Sequence, residues 1–204
     1  MKKTYMLSLV VALGLSACVQ PSYVSSTSNN KADKPLTLGI DDDDLQNTAR
    51  ELINSMLASP AFATSNPNER HVLAMSRITN DTMQHFDTDI LTKKIRVALL
   101  NSGRVYVTTA LGANGAEDEM TMSVRDLRDN EEFNQKTIAK KGTVMSANRS
   151  LSGKIIQRNT KISGSKQRVD YYFQMTVTNL DNGLAIWEDE IRINKAGSNR
   201  SVAW

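Results

Sequence analysis

The sequence predicts a single α/β domain over residues 38–204, in which a mixed β-sheet ends in an antiparallel meander and is flanked by helices. Segments with apolar residues at helical spacing alternate with strand-like segments up to about residue 141. From residue 150 onward the chain is typical of strands joined by short turns. With 204 residues, of which 40% are hydrophobic and 23% charged, the chain has enough apolar material for one globular core.

The first helix is predicted to begin at a run of four carboxylates, Asp41 to Asp44. The apolar positions that follow at helical spacing are Leu45, Leu52, Ile53, Met56 and Leu57. Acidic residues at a helix N-terminus complement the helix dipole. A calcium site is the alternative interpretation of the acidic run, and the helical spacing favours the helix start.

Two strands and a second helix are predicted next. Residues 71–78 (HVLAMSRI) are typical of a buried strand, and residues 104–109 (RVYVTT) are a β-branched strand. Between them, Asp87 and Thr88 begin a helix that Gly103 ends as a C-terminal cap. The apolar face of this helix consists of Ile90, Leu91, Ile95, Ala98 and Leu99.

Residues 117–141 are predicted to form a long polar helix or a pair of helices. The apolar positions of this segment are Met120, Val124, Leu127, Phe133 and Ile138. Three strands are predicted after it, at residues 150–157, 168–180 and 184–193. In the middle strand, polar residues alternate with Val169, Tyr171, Phe173, Met175 and Val177, which therefore share one face. Asp181-Asn182-Gly183 predicts a tight hairpin turn between the last two strands.

The N-terminus resembles a bacterial lipoprotein signal. Residues 1–17 combine a positive start with the short apolar run YMLSLVVALGL, and Leu15-Ser16-Ala17-Cys18 resembles a lipobox. The alternative is an ordinary signal peptide that ends in a free cysteine. The resemblance implies cleavage before Cys18 and acylation of its thiol and amine, which gives a stable membrane anchor. Since Val19 stands where inner-membrane lipoproteins commonly have Asp, it also implies an outer-membrane protein that faces the periplasm. Residues 18–37 then form a flexible, Ser- and Asn-rich tether.

Composition and motifs argue against catalysis by this chain. One cysteine and two histidines, His71 and His85, leave little for thiol or metal chemistry, and we expect no cofactor. Neither a Walker loop nor a G-x-G-x-x-G motif is present. Ser163-Gly164-Ser165-Lys166 matches the S-x-x-K motif of penicillin-binding enzymes, but it lies in a predicted hairpin loop without the partner motifs. The sequence therefore predicts that the protein is not an enzyme.

Charge is distributed unevenly along the chain. Seven acids lie between Glu117 and Glu132, whereas Phe133 to Val169 contains nine basic residues and no acid. Export excludes nucleic acid as the partner of this basic stretch. An acidic protein face, phospholipid head groups and lipid-linked phosphates remain open as partners, and so does a solvated surface with no partner.

Several blocks of the chain resemble one family of bacterial lipoproteins. They are Ile78-Thr79-Asn80-Asp81-Thr82, His85-Phe86-Asp87-Thr88, Leu99-Leu100-Asn101-Ser102-Gly103-Arg104, Leu151-Ser152-Gly153-Lys154-Ile155, Tyr171-Tyr172 and Asn182-Gly183-Leu184-Ala185-Ile186-Trp187. In order and spacing these blocks resemble the LpoB family of outer-membrane lipoproteins. The resemblance implies an α/β domain that binds a class A penicillin-binding protein, a bifunctional peptidoglycan synthase. It also implies allosteric stimulation of wall synthesis rather than a reaction carried out by this chain.

The candidate partner-binding residues follow from the same blocks and from the basic stretch. They are Asn80, Asp81, Thr82, Arg158, Lys161, Lys166 and Tyr172. The family often has Asn-Arg-Thr where this chain has Asn80-Asp81-Thr82, so a charge contact made by this segment is inverted here. The second partner expected is outer-membrane lipid, contacted through the acyl chains on Cys18. An alternative is suggested by curli-secretion lipoproteins, which share the domain type and form or assist an outer-membrane pore.

Overall fold

A computed structural model describes residues 38–63, 70–113, 117–198 and 200–201. In chain order the elements are α1 (Asp42–Ala58), a short 3₁₀ helix (Pro60–Phe62), β1 (His71–Asp81), α2 (Thr88–Asn101), β2 (Val105–Gly112), α3 (Met120–Asp126), β3 (Arg149–Lys161), β4 (Lys166–Asn179) and β5 (Ala185–Ser198). Leu36–Trp204 is one compact unit that holds the whole hydrophobic core of the described chain. The signal peptide, Cys18 and the tether predicted for residues 1–37 lie outside the described residues.

The five strands form one mixed sheet in the order β2-β1-β3-β4-β5. Strand β1 runs parallel to both β2 and β3, whereas β3, β4 and β5 are antiparallel neighbours. Helix α2 connects β1 to its parallel neighbour β2, and residues 113–148 connect β2 to β3, the other parallel neighbour of β1. Such connections are long because the chain must return to the same end of the sheet before the next parallel strand begins. The predicted fold class, a mixed sheet that ends in an antiparallel meander, is confirmed.

Helices α1 and α2 pack against each other and cover one face of the sheet. Helix α1 contacts β5, and α2 contacts β1 and β2. Their apolar stripes meet the alternating face of β4, where Tyr171 and Phe173 are fully buried. Each fully buried side chain of this size contributes roughly 1.5–3 kcal/mol relative to exposure. The core therefore lies between the helix layer and the β1–β3–β4 part of the sheet.

The acidic run begins α1, as the helical spacing predicts. Asp41 is the N-cap and its side chain accepts a hydrogen bond from the Asp44 amide (2.8 Å), while the Asp44 side chain accepts one from the Asp41 amide (3.1 Å). Burial alone raises the pKa of Asp41, but the Asp44 amide and the nearby Lys195 ammonium outweigh it and hold the pKa below its ordinary value. Lys195 on β5 forms ion pairs with both carboxylates, which fastens the start of α1 to the sheet.

Helix α2 also begins and ends as predicted. Asp87 caps its N-terminus by accepting a hydrogen bond from the Asp89 amide, and Gly103, with φ +67°, terminates the helix in the left-handed region. Arg104 follows directly and donates to the carbonyl oxygens of Leu57 (2.6 Å) and Phe62 (2.9 Å). This arginine satisfies one carbonyl in the last turn of α1 and one at the end of the 3₁₀ helix, where helices leave acceptors without internal partners.

The prediction of a long helix or a pair of helices over residues 117–141 is wrong. Only α3 is helical, and after it the chain forms consecutive turns, with Asp129 in the left-handed region at φ 70°. The Gln135 side-chain amide donates to the carbonyls of Leu127, Asn130 and Phe133, and Arg128 binds the Ala139 carbonyl. Side chains here bond to carbonyls that a helix would bond internally. The five apolar positions taken as a helical face are exposed or only half-buried, so no packing favours a helix.

The meander agrees with its predicted alternation, although each of its strands differs by a few residues from the predicted bounds. Strand β3 pairs with β4 along its whole length, from Arg149↔Asn179 to Lys161↔Gln167. Gly183, with φ +75°, supplies the left-handed residue of the predicted turn between β4 and β5. The remaining connection, Ile162 to Ser165, contains most of the S-x-x-K match and is an exposed turn.

Candidate protein-interaction face

The face of β3, β4, β5 and the adjoining end of β1 that points away from α1 and α2 carries several of the predicted partner-binding residues. We call it the open face and define it by Arg158, Arg168, Asp170, Tyr172 and Arg192. Side chains alternate between the two faces of a strand, and the apolar members of β4 point toward the helices. The intervening residues of β4 and their cross-strand neighbours therefore form the open face.

The strand register places residues of four strands in one row across the open face. Asp81 of β1 is paired with Ile156 of β3, which is paired with Tyr172 of β4, which is paired with Arg192 of β5. Because neighbouring strands lie about 4.8 Å apart, the row spans roughly 14 Å. Arg158 stands in the next row, opposite Asp170. The structure thus brings Asp81, Arg158 and Tyr172 together, although they are far apart in sequence.

Asp81 is engaged on the open face by a lysine of the neighbouring strand. Lys154 Nζ lies 2.7 Å from Asp81 Oδ2, and both side chains are about half exposed. The other two residues of this predicted block have a structural task. The Asn80 side chain donates to the Gln84 carbonyl (2.9 Å) and accepts from the Thr82 hydroxyl (2.7 Å). These bonds shape the turn after β1 that borders the row.

The basic candidates lie toward the β3–β4 turn. Arg158, Lys161 and Lys166 are all exposed, and Lys161 and Lys166 are the last residue of β3 and the first of β4. Alternation puts Arg158 and Lys166 on the open face, while Lys161 falls on the opposite side of the strand pair. Lys161 is therefore separated from the other two by the sheet itself.

Tyr172 lies beside a charged group that the sequence did not reveal. The Arg192 guanidinium lies over its ring, 5.6 Å from the centroid. Arg192 Nη2 is also 2.9 Å from Asp170 Oδ1, and Arg168 Nε is 3.0 Å from Asp170 Oδ2. Asp170 is only 1% exposed, although it is a carboxylate on the open face. Pairing with the Asp170 carboxylate, which outweighs the opposing effect of desolvation, raises the pKa of Arg192 above its usual value.

Asp170 and Arg192 were not among the residues predicted from sequence. A signal was available, because Asp170 is the only acid between Phe133 and Leu180 and it occupies a polar position of the alternating strand. Arg192 belongs to a strand whose register with β4 the sequence does not define. Only the register shows that Arg192 and Asp170 are adjacent.

The remaining side chains that could take part in metal binding or catalysis are separated from one another. His71 packs edge-to-face against Phe62, and His85 is exposed. Across residues 38–63, 70–113, 117–198 and 200–201, no group of three His, Cys, Asp or Glu side chains is placed to hold a metal ion. Pockets of about 230, 290 and 340 Å³ lie beside the start of α1, between α1 and α2, and beside β2. None of the residues lining these three pockets belongs to β3, β4 or β5, so the open face is not part of any of them.

Cys18, the predicted lipid-attachment residue, lies outside the described residues. Within the described part of the chain, no helix has both the length and the apolar character needed to cross a membrane. Lipid attachment at Cys18 stays a prediction from the N-terminal sequence.

Comparison with known proteins gives a family for this chain. The family model described as peptidoglycan-synthase activator LpoB matches residues 44–193. No curated protein sequence matches the chain. Among solved structures, the LpoB C-terminal domain from Salmonella enterica is 15% identical, with a TM-score of 0.44, and the alignment covers 74% of this chain and 98% of that one. The corresponding domain from Escherichia coli is 14% identical, with a TM-score of 0.43 and the same coverage. The NMR structure of E. coli LpoB is 12% identical, with a TM-score of 0.41, and the alignment covers 98% of this chain and 85% of that one.

The family match extends from α1 into β5 and so includes the whole sheet up to Ile193. It defines a class of regulatory proteins, the activators of peptidoglycan synthases. The chain belongs to the LpoB family.

Proposed function

We propose that this protein is an outer-membrane-anchored lipoprotein that binds a class A penicillin-binding protein and stimulates it allosterically. The observation that carries the proposal is the family match over residues 44–193. The lipobox resemblance at Leu15-Ser16-Ala17-Cys18 supports the anchor, since diacylglycerol on the thiol and an acyl group on the amine provide more than one chain. The tether of residues 18–37 then connects the anchor to the folded domain on the periplasmic side.

The open face is the proposed docking site for the synthase. Strands β3 and β4 have 13 and 14 residues, so the face is roughly 45 Å long and 15 Å wide. This is on the order of 700 Å², close to the roughly 800 Å² per partner of a typical specific interface. Among the predicted contact residues, Asp81, Arg158, Lys166 and Tyr172 lie on this face. Asn80 and Thr82 support the turn at its border, and Lys161 lies beside the β3–β4 turn.

Stimulation follows if docking favours the active state of the synthase. An activator shifts an equilibrium only by the difference in its affinity for the two states. A tenfold preference for the active state therefore corresponds to about 1.4 kcal/mol of coupling free energy. The protein itself needs no catalytic group for this role, only a surface that distinguishes the two states.

The direct test uses purified residues 36–204, the compact unit that holds the core. We expect this fragment to raise the rate of glycan polymerisation by the class A synthase of the same organism, and to saturate with concentration. The same fragment is tested for binding by pull-down with tagged synthase. No binding to any class A synthase at tens of micromolar would contradict the proposed function.

A further inference from the structure

The open face contains a buried carboxylate that is paired with two accessible arginines. Asp170 is 1% exposed and is held by Arg168 and Arg192, whose side chains are each 42% exposed. Burying a carboxylate is costly unless it is paired and hydrogen-bonded. Here the carboxylate lies beneath two arginines that remain accessible from outside. It therefore fixes two guanidinium groups at the surface of the sheet.

The surroundings give this site a net positive charge. Arg158 is the cross-strand partner of Asp170 on β3, so three arginines and one carboxylate lie within three adjacent rows of the sheet. Tyr172 supports Arg192 from below, with the guanidinium 5.6 Å from the ring centroid. A guanidinium has five N–H donors, and the ion pair with Asp170 is made through Nε of Arg168 and Nη2 of Arg192. Other donors of both groups remain to meet an acceptor from solution.

Fixed arginines are well suited to bind carboxylates. The planar guanidinium matches a carboxylate in a two-bond geometry, and a side chain already held in place loses less entropy on binding. A guanidinium stays charged at any physiological pH, so these arginines present a permanent positive charge. Along β5, Glu190 lies in the row next to Arg192 and Glu188 lies one row further on, so the surface becomes acidic in that direction. An acidic partner is therefore directed toward the part of the open face that carries Arg158 and Arg168.

A lipid surface fits this site less well than a protein does. Stable attachment to a bilayer requires apolar side chains that enter it in addition to basic ones. In the part of the chain that the structure describes, the exposed large apolar residues all lie outside β3, β4 and β5. The open face thus offers charge and a flat surface without an apolar wedge.

We propose that Arg168 and Arg192, with Arg158, form a carboxylate-binding site for an acidic surface segment of the synthase, and that Asp170 is the positioning residue that sets their geometry. This inference rests on the proposed function, because it names the chemistry by which the same partner is recognised.

The experiment measures binding of residues 36–204 to the detergent-solubilised synthase at low and at physiological salt. We expect Arg168→Gln and Arg192→Gln each to weaken binding about tenfold, because each removes a charge-assisted contact. Arg50→Gln is the matched control, since Arg50 is an exposed arginine of α1 on the other side of the sheet. It is expected to change the affinity by less than about twofold.

Asp170→Asn separates positioning from simple charge. The variant keeps the shape and makes the site more positive, so a site that needs only charge would bind an acidic partner more tightly. A site that needs its arginines held in place binds more weakly, and about fivefold is expected. Circular dichroism establishes that the variant is folded. If it does not fold, the two arginine variants still decide the question.

The outcomes distinguish the inference from the function on which it rests. If the wild-type fragment does not bind the synthase at all, the proposed function fails. If it binds and the two arginine variants behave like Arg50→Gln, the carboxylate site fails and the function stands. Vesicles containing phosphatidylglycerol form a further arm. If Arg192→Gln weakens binding to the vesicles but not to the synthase, the arginines serve a lipid and the inference is overturned.

Discussion

The hydroxyl group of Tyr171 is expected to fasten β4 to the segment before α1. Tyr171 is fully buried, and its hydroxyl donates a 2.9 Å hydrogen bond to the carbonyl oxygen of Leu38. In Tyr171→Phe the ring is kept and the donor is lost, so the Leu38 carbonyl stays buried without this partner. A buried acceptor left without its donor costs about 1–3 kcal/mol of unfolding free energy. Tyr171→Ala also opens a cavity and is expected to cost about 3–5 kcal/mol.

The same tyrosine predicts how stability changes at alkaline pH. Burial, reinforced by the charge of Asp44, raises the pKa of Tyr171 to about 12, whereas the phenol of the unfolded chain ionises near its model value of 10.0. The folded pKa is the higher one, so the contribution of this group is complete below about pH 10 and is lost as the pH rises toward 12. By pH 11 the stability advantage of wild type over Tyr171→Phe is expected to shrink by about 1 kcal/mol.

Urea unfolding of residues 36–204, followed by circular dichroism at pH 7 and pH 11, measures both effects. Tyr172→Phe is the matched control, because Tyr172 is the next residue on the open face and is only half-buried. Its substitution is expected to change stability by less than about 0.5 kcal/mol. A cost below about 0.3 kcal/mol for Tyr171→Phe at pH 7 would refute the assigned hydrogen bond. A cost that does not change between the two pH values would refute the role of burial.

Three further changes have defined expected outcomes. Asp41→Ala removes the cap that accepts from the Asp44 amide, so it is expected to cost about 1 kcal/mol in urea unfolding at pH 7. Because the folded pKa of Asp41 is lowered, this cost should be complete above the model value of 3.8 and diminish as the pH falls below it. Asp81→Arg places a second cation beside Lys154 in place of an exposed ion pair. It is expected to cost less than about 1 kcal/mol, while its effect on synthase affinity shows whether this end of the row is contacted. Cys18→Ser is expected to move the full chain from the membrane fraction to the soluble periplasmic fraction; a variant that stays in the membrane fraction would contradict the lipid anchor.

The fold was predictable where burial leaves a periodic pattern in the sequence. The apolar positions of α1 and α2 recur at helical spacing because each helix buries one stripe, and β4 alternates because it buries one face. Caps added information about where helices begin and end, since Asp41 and Gly103 occupy positions that few other residues satisfy. These elements follow from local chemistry together with burial.

Residues 117–141 show where such patterns fail. Met120, Val124 and Leu127 have helical spacing, but none of them is buried, so the spacing is not caused by packing. The structure of this segment depends on Gln135 and Arg128, which bond to carbonyls 5 to 11 residues away. Such bonds leave no periodic trace in the sequence. The apolar spacing alone predicted a helix, and side-chain contacts to the backbone form turns there instead.

The kinds of residue in the candidate site were predictable from the sequence, but their positions relative to one another were not. The sequence indicated that basic residues are concentrated between Lys136 and Arg168, and it singled out Tyr172. It did not show that Arg158 and Lys161 point to opposite sides of the sheet. The pairing of Tyr172 with Arg192 requires the register of β4 and β5, which a turn bulge and packing decide together. The central carboxylate, Asp170, became recognisable only once its burial was known.

Strand β5 is an edge strand of the sheet, and the unpaired backbone groups of an edge strand can pair with a strand of another chain. Its side chains toward α1 include Asp189, which accepts a 2.5 Å hydrogen bond from Ser55, and Lys195, which binds the carboxylates at the start of α1. A foreign strand added at this edge would pack beside these inward-facing charges without partners of its own. We therefore expect the polar contacts between β5 and α1 to protect the domain against edge-to-edge aggregation at high protein concentration.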